Sequence, residues 1–289
     1  SNTGTVACLM PVIIGICQAA KIPASKQLMP LAIAANVGGT ITMIGTPPNV
    51  IVTGALSAAG LPSFGFFEFA WIGVPLSIIV LIDMLTIGRK TIPAKSAGDM
   101  DEEAVKAAKE EAGASDDAAP KSKTKMWISG LILIGVVVAM ALNLKTVPLQ
   151  TAAVTGAILC VITGCLKEKE AYAGIDWVTI FLFAGMLSVA TAMDKTGAGK
   201  LIADTVVNMM GEHPNPVVLC AVLYLISNVL TQFMSNTASA ALLAPIGISI
   251  AQSIGADPKP VLMAIGIAAS MAFATPMATP PNTLVLGPG

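Results

Sequence analysis

The 289-residue chain is 55% hydrophobic and 11% charged, with a mean hydropathy of +0.79 and a formal net charge of −1. A soluble domain carries about 25% charged residues, so a soluble globular chain is excluded for want of polar surface. The near-zero net charge leaves no electrostatic footprint for nucleic acid.

Residues 4–20 are apolar and follow the triplet Ser1-Asn2-Thr3. Residues 28–59 are apolar but interrupted, by Gly38-Gly39 and then by Gly45-Thr46-Pro47-Pro48-Asn49. The stretch 70–88 reads as a membrane span, which needs about 20 apolar residues. Between Thr91 and Lys125 the composition turns to Ala, Asp, Glu and Lys. There, 101–112 reads as a short exposed helix within a flexible charged linker. Spans follow at 127–144 and 149–166, with a slightly short one at 177–193. Residues 216–254 surround a second triplet, Ser235-Asn236-Thr237. Residues 261–287 are interrupted by Thr275-Pro276 and by Thr279-Pro280-Pro281-Asn282. Trp71, Trp127 and Trp177 each open an apolar stretch, where interfacial aromatics belong.

Cys8, Cys17, Cys160, Cys165 and Cys220 are odd in number, lie in apolar runs and lack CxxC spacing. They read as small hydrophobes rather than metal ligands or disulfides. The single histidine, His213, sits in the polar run Gly211-Glu212-His213-Pro214, which leaves histidine-based catalysis little to work with. No signal peptide or initiator Met is present, and residue 1 already stands inside a motif, so the chain reads as a fragment of a longer one.

The Lys/Arg distribution orients the spans. With the linker in the cytoplasm, 12 cationic residues lie inside, while Lys145, Lys195, Lys200 and Lys259 lie outside. Removing six linker lysines leaves 6 against 4.

The chain also repeats itself. A proline follows each triplet serine by ten residues, as Pro11 and Pro245. From Ser1 to Thr46 is 45 residues, and from Ser235 to Thr279 is 44. In the orientation above, the first triplet enters from the cytoplasm. Residues 216–254 form two half-spans entering from outside and meeting at Ser235. Opposed repeats of this kind define the inverted-repeat architecture of secondary transporters.

The motif chemistry suits an anion and a cation together. Thr-Pro-Pro-Asn breaks a helix at membrane depth, because prolines lack N–H groups and bias the residue before them away from the helical region. Such backbone is tolerated only where it is bonded or faces a polar cavity. Carbonyls freed near Gly45 and Ala278, with Asn and Ser/Thr oxygens, suit a hard cation such as Na⁺. Helix N-termini and the triplet donors suit a carboxylate or sulfate. No fixed cationic side chain lies inside the spans, so a doubly charged anion needs bound cations for compensation. Alone, either motif reads as helix packing or a kink; doubled and in register, they read as a site. Asp83, the one acid inside a clean span, lies six residues from Arg89 and reads as an interfacial residue rather than a proton relay.

At these motifs the chain resembles the divalent anion/sodium symporter family of di- and tricarboxylate transporters, within the ion-transporter superfamily. The likeness rests on both Ser-Asn-Thr triplets, Gly45–Asn49, Phe66–Pro75 and Ala278–Asn282. It implies an all-α polytopic membrane protein with two re-entrant hairpins and two broken helices. It further implies a homodimer in the bacterial cytoplasmic membrane, working by an elevator mechanism. The expected division is 1–90 as part of the first repeat, 91–126 as a cytoplasmic linker, 127–215 as scaffold-type spans with an outer loop, and 216–289 as the second-repeat hairpin and broken helix. By this likeness Ser1, Asn2 and Gly45 match a first Na⁺ site, whose further ligand four residues upstream is missing. Thr231, Met234, Asn236 and Ala278 match a second. Asn2, Thr3, Asn236, Thr237, Thr279 and Pro280 match positions that contact the substrate carboxylates. The function implied is Na⁺-coupled symport of a succinate-, malate- or citrate-type anion. Carriers of sulfate, arsenite or metal-citrate, an exchanger and an H⁺-coupled carrier stand as alternatives. An intramembrane enzyme would need a Ser–Lys, Asp–Asp or His-rich constellation that the sequence does not display.

Overall fold

A computed structural model describes residues 2–92, 123–142, 149–175, 177–201, 204–205, 215–275 and 278–286. Ser1, the helix expected at 101–112, His213 and Pro276 lie outside the described residues. Among the described residues the structure is helical, with no strand. That composition of elements fits a chain crossing a membrane several times.

The first repeat supplies α1 (Asn2–Ala20), α2 (Ser25–Gly39) and α3 (Pro47–Ala58). Helix α4 (Ala70–Asp83) continues through a π-helical turn at Met84–Gly88 and a last turn at Arg89–Thr91. The middle of the chain holds α5 (Lys123–Ala141), α6 (Leu149–Ile162), the short α7 (Glu168–Ala173) and α8 (Trp177–Thr196). The second repeat supplies α9 (Pro216–Thr231), α10 (Asn236–Ser253), α11 (Pro258–Ser270) and α12 (Pro280–Leu286).

Starts and stops follow local chemistry. The Asn215 side chain accepts from Val217 N (2.9 Å) and that of Asp257 from Lys259 N (2.9 Å), each just ahead of a proline at the first helical position. Ser235 caps α10 by accepting from Ala238 N at 3.2 Å. The expected interruptions fall where the motifs stand: α2 ends at Gly39 and α3 begins at Pro47, while α11 ends at Ser270 and α12 begins at Pro280. Helix α5 begins four residues before the expected span, so the end of the 91–126 linker is its first turn. Lys125 Nζ donates to Gly164 O at 2.7 Å there, fixing that turn against the chain just after α6.

Two apolar clusters hold the helices. One joins Val6, Met10 and Ile14 of α1 and Leu28 and Ala32 of α2 to Leu284 and Val285 of α12. The other joins Ile51, Val52 and Leu56 of α3 to Leu243 and Ile250 of α10 and Leu262 and Ile265 of α11. The partners are exchanged: α12 of the second repeat packs on α1 and α2, and α3 of the first packs on α10 and α11. At the crossing, Ser270 Oγ lies 3.4 Å from Thr46 Oγ1, and both residues are buried.

Helices Ala70–Gly88 and Thr124–Ala141 are each long and apolar enough to cross a membrane, and little of either is buried. Exposed Trp71, Ile79, Leu85, Leu131 and Leu133 line them. Apolar surface left in water costs about 25 cal/mol per Å², so these faces suit lipid. All five cysteines are free thiols.

Candidate functional site

Each interruption is shaped by its own asparagine. In the first, Asn49 Nδ2 donates to Thr42 O at 3.0 Å. In the second, Asn282 Nδ2 donates to Thr275 O at 3.1 Å and to Ala272 O at 2.7 Å. Both Asn–Thr pairs are seven residues apart, so the Thr-Pro-Pro-Asn motif folds back on the chain in the same way twice. Thr46 is extended (φ −142°, ψ 144°) immediately before Pro47, as the residue ahead of a proline prefers. The first interruption is also tightly closed. A Cβ on Gly45 would collide with the Gly39 carbonyl, and one on Gly39 with the Asn2 amide.

Around these interruptions lie two groups of oxygens. Asn2 Oδ1 faces the carbonyls of Ala35 (3.1 Å) and Gly45 (3.2 Å). Asn236 Oδ1 faces the carbonyls of Ala269 (3.1 Å) and Ala278 (3.2 Å), and the Thr231 hydroxyl at 2.8 Å. Acceptors turned toward one another repel. Two arrangements relieve this: a turned-over amide that donates to the carbonyls, or a cation among the oxygens. No group of three or more His, Cys, Asp or Glu occurs among the described residues. The donors at these places are therefore neutral oxygens, which suit a hard monovalent ion better than a transition metal.

Of the residues singled out from sequence, Asn2 and Gly45 are brought together, as are Thr231, Asn236 and Ala278. Ser1 lies outside the described residues. Met234 lies in the turn between α9 and α10, its N–H donating to Leu230 O at 3.0 Å. Thr3 and Thr237 are half-buried on the first turns of α1 and α10. Thr279 is buried, and its carbonyl accepts from Asn282 N at 3.0 Å; Pro280 beside it is exposed.

Four contributors escaped the sequence reading. The Ala35 and Ala269 carbonyls carry no side-chain signal, yet the two residues stand 234 apart, as Asn2 and Asn236 do. Asn36 is fully buried in an apolar helix, where an unpaired amide would be costly. Gln232 pins the second interruption to the end of α9. Its Nε2 donates to Met271 O (3.2 Å), its Oε1 accepts from Ala274 N (2.9 Å), and its carbonyl accepts from Thr275 Oγ1 (2.6 Å).

Helices lined for lipid, with polar interruptions facing inward, are the design of a membrane carrier. The chain belongs to the citrate transporter family, whose model matches residues 1–258. This bears out the resemblance carried by the motifs. Across its full length the chain is 33% identical to an uncharacterized transporter of Haemophilus influenzae, over 63% of that protein. It is 40% identical over 139 residues to the uncharacterized transporter YfbS of Escherichia coli, covering 47% of this chain and 23% of that one. It is 26% identical to the sodium-dependent dicarboxylate transporter SdcS of Staphylococcus saprophyticus, over all of this chain and 60% of SdcS. The chain therefore spans less than two thirds of the length of these relatives.

Proposed function

We propose that the protein is a secondary active carrier of a small di- or tricarboxylate, driven by Na⁺ that crosses with the anion. The observation that carries this reading is the pair of neutral oxygen groups, Asn2–Ala35–Gly45 and Thr231–Asn236–Ala269–Ala278. Each becomes electrostatically favourable when a cation enters. The bound cations then compensate an anion held by the donors of Asn2, Thr3, Asn236 and Thr237 at the starts of α1 and α10, and by Thr279 and Pro280 beside them. Met234, through its backbone, and Ser1 complete the two cation shells in this proposal.

The repeats run in opposite senses through the cytoplasmic membrane. Exchanged packing supports this, since α2 and α11 approach their interruptions from opposite layers and continue into each other's layer. Two polar contacts agree with the Lys/Arg orientation. Lys259, assigned outside, pairs at 2.9 Å with Glu68, which precedes the 70–88 span at the end away from the cytoplasmic linker. Lys125 and Gly164, both at the cytoplasmic end, meet at 2.7 Å.

The carrier works as a homodimer in which a core of α1–α3 and α9–α12 slides against α5, α6 and α8. Two cavities along that boundary support such a division, with Met140 of α5 and Ala152 of α6 bridging it into the α3–α10–α11 cluster. One cavity of about 600 Å³ separates Val50, Gly54 and Ser57 of α3 from Met140, Gln150 and Ile180. Another of about 460 Å³ separates Ala55 and Pro245 from Leu187 and Thr191.

Radiolabelled succinate uptake by the full-length protein in proteoliposomes tests the reading. Uptake is expected to follow an inward Na⁺ gradient and to be inhibited by unlabelled malate or citrate. Competition by sulfate alone would remove the carboxylate assignment, and uptake indifferent to Na⁺ would remove the coupling.

A further inference from the structure

A chain of three asparagines crosses from the second repeat to the first, and its direction is fixed at one end. Asn282 Nδ2 lies 2.7 Å from Ala272 O and 3.1 Å from Thr275 O. Carbonyls only accept, so the amide nitrogen must face them. The Asn282 oxygen is thereby turned to Asn36, whose Nδ2 donates to it at 3.3 Å. The Asn36 oxygen is turned in consequence to Asn2, whose Nδ2 donates to it at 3.3 Å. What remains of the Asn2 amide is its oxygen, directed at the carbonyls of Ala35 and Gly45.

Turning Asn2 over so that it donates to those carbonyls sets its oxygen against the Asn36 oxygen. Turning Asn36 as well moves the clash to Asn282. Turning Asn282 ends with an oxygen against two backbone carbonyls. The mismatch can be moved along the chain but not removed, unless a cation sits at the Asn2 end.

We infer that Asn36 is a positioning residue that holds the Asn2 amide oxygen toward a cation on orders from Asn282, so that the second repeat sets the first repeat's cation affinity. This rests on the Na⁺ reading above. The relay is one-sided. At the matching position in the second repeat stands Ser270, which donates to Gly266 O at 3.1 Å and lies against Thr46. Asn282 is anchored on Ala272 and Thr275, in the same interruption that presents Ala278 to the other oxygen group. A cation that orders this interruption orders Asn282, then Asn36, then Asn2. Two Na⁺ ions therefore bind with positive cooperativity, and the coupling is reciprocal.

The test reads Na⁺ binding through melting temperature, since a ligand that binds only the folded state stabilises it. Full-length protein is titrated with NaCl, with choline chloride holding ionic strength constant. In Asn36→Leu the half-saturating Na⁺ concentration is expected to rise about tenfold, the equilibrium weight of one well-made hydrogen bond, and the titration to lose its sigmoidal form. In an Asn2→Asp background, oxygens occupy both positions and there is nothing to orient. One of them stands against the Asn36 oxygen, so Asn36→Leu is expected there to leave half-saturation unchanged or to lower it. Asn36→Ser replaces Asn36→Leu if the larger side chain prevents folding. Unchanged half-saturation in the Asn2 background, or an equal loss in both backgrounds, overturns the relay. A starting protein that responds equally to Na⁺ and choline overturns the Na⁺ reading itself, an outcome distinct from failure of the relay.

Discussion

Lys259 Nζ lies 2.9 Å from Glu68 Oε1 and 5.3 Å from the centre of the Phe64 ring, joining the approach to α4 to the first turn of α11 across 191 residues of sequence. Glu68 is itself positioned by Gly65 N, which donates to its Oε2 at 2.8 Å. The two side chains keep 25% and 33% of their surface exposed. Solvent screening then limits the pair to about 1 kcal/mol. Glu68→Gln is expected to lower the melting temperature in detergent by a few degrees at low salt and less at high salt. The exchanged pair Glu68→Lys with Lys259→Glu should recover part of the loss.

Asn236→Ala removes the only side-chain amide from the second oxygen group and leaves the Ala269 and Ala278 carbonyls without it. Na⁺-driven succinate uptake is expected to fall at least about tenfold, as loss of roughly 1.4 kcal/mol of binding would produce. Comparison of uptake at saturating and limiting Na⁺ checks the cause: high Na⁺ should restore part of the rate.

Gly39→Ala places a methyl group where the Asn2 amide lies. Because Asn2 stands on the first turn of α1, its side chain can swing away without dislodging a helix. The expected result is a protein that melts within a few degrees of the original, gains less stabilisation from NaCl, and titrates with Na⁺ as a single site. Overpacking that forced the backbone instead would cost about 1–3 kcal/mol, and the melting curve would register it directly.

Gln232→Ala removes both side-chain bonds that pin Met271 and Ala274 to the end of α9. Ala274 N loses its partner, while Met271 O keeps the bond from Asn228 Nδ2 at 3.2 Å. Hydrogen exchange of the amides at 272–275 is expected to quicken, while that of α3 and α10 stays unchanged. Uniform quickening across the molecule would point to global destabilisation instead.

The interruptions were legible in sequence because Thr-Pro-Pro-Asn leaves few backbone options, and the doubled spacing showed that it mattered. That Asn236 meets Thr231 was expected only from the family likeness, which matched both residues to one site. The exchange of α3 and α12 between repeats was not. Apolar patterning says that Ile51 and Leu284 are buried, but any apolar neighbour would satisfy them. Ala35 and Ala269 contribute only carbonyls, which every residue has, so their part depends on backbone path alone. Asn36 could have been noticed as a lone amide in the run Ala34-Ala35-Asn36-Val37-Gly38. Its partner in the second repeat, 246 residues away, could not.

The exchanged helices also bear on how the chain is made. Val6, Met10 and Leu28 are buried in one cluster with Leu284 and Val285 of α12. At about 5–20 residues per second, the ribosome needs roughly 12–50 s to pass from the end of α2 to α12. For that interval α1 and α2 have an open face and Asn36 lacks its partner Asn282. The first repeat must therefore wait in the membrane, inserted but unfinished, until the second is complete.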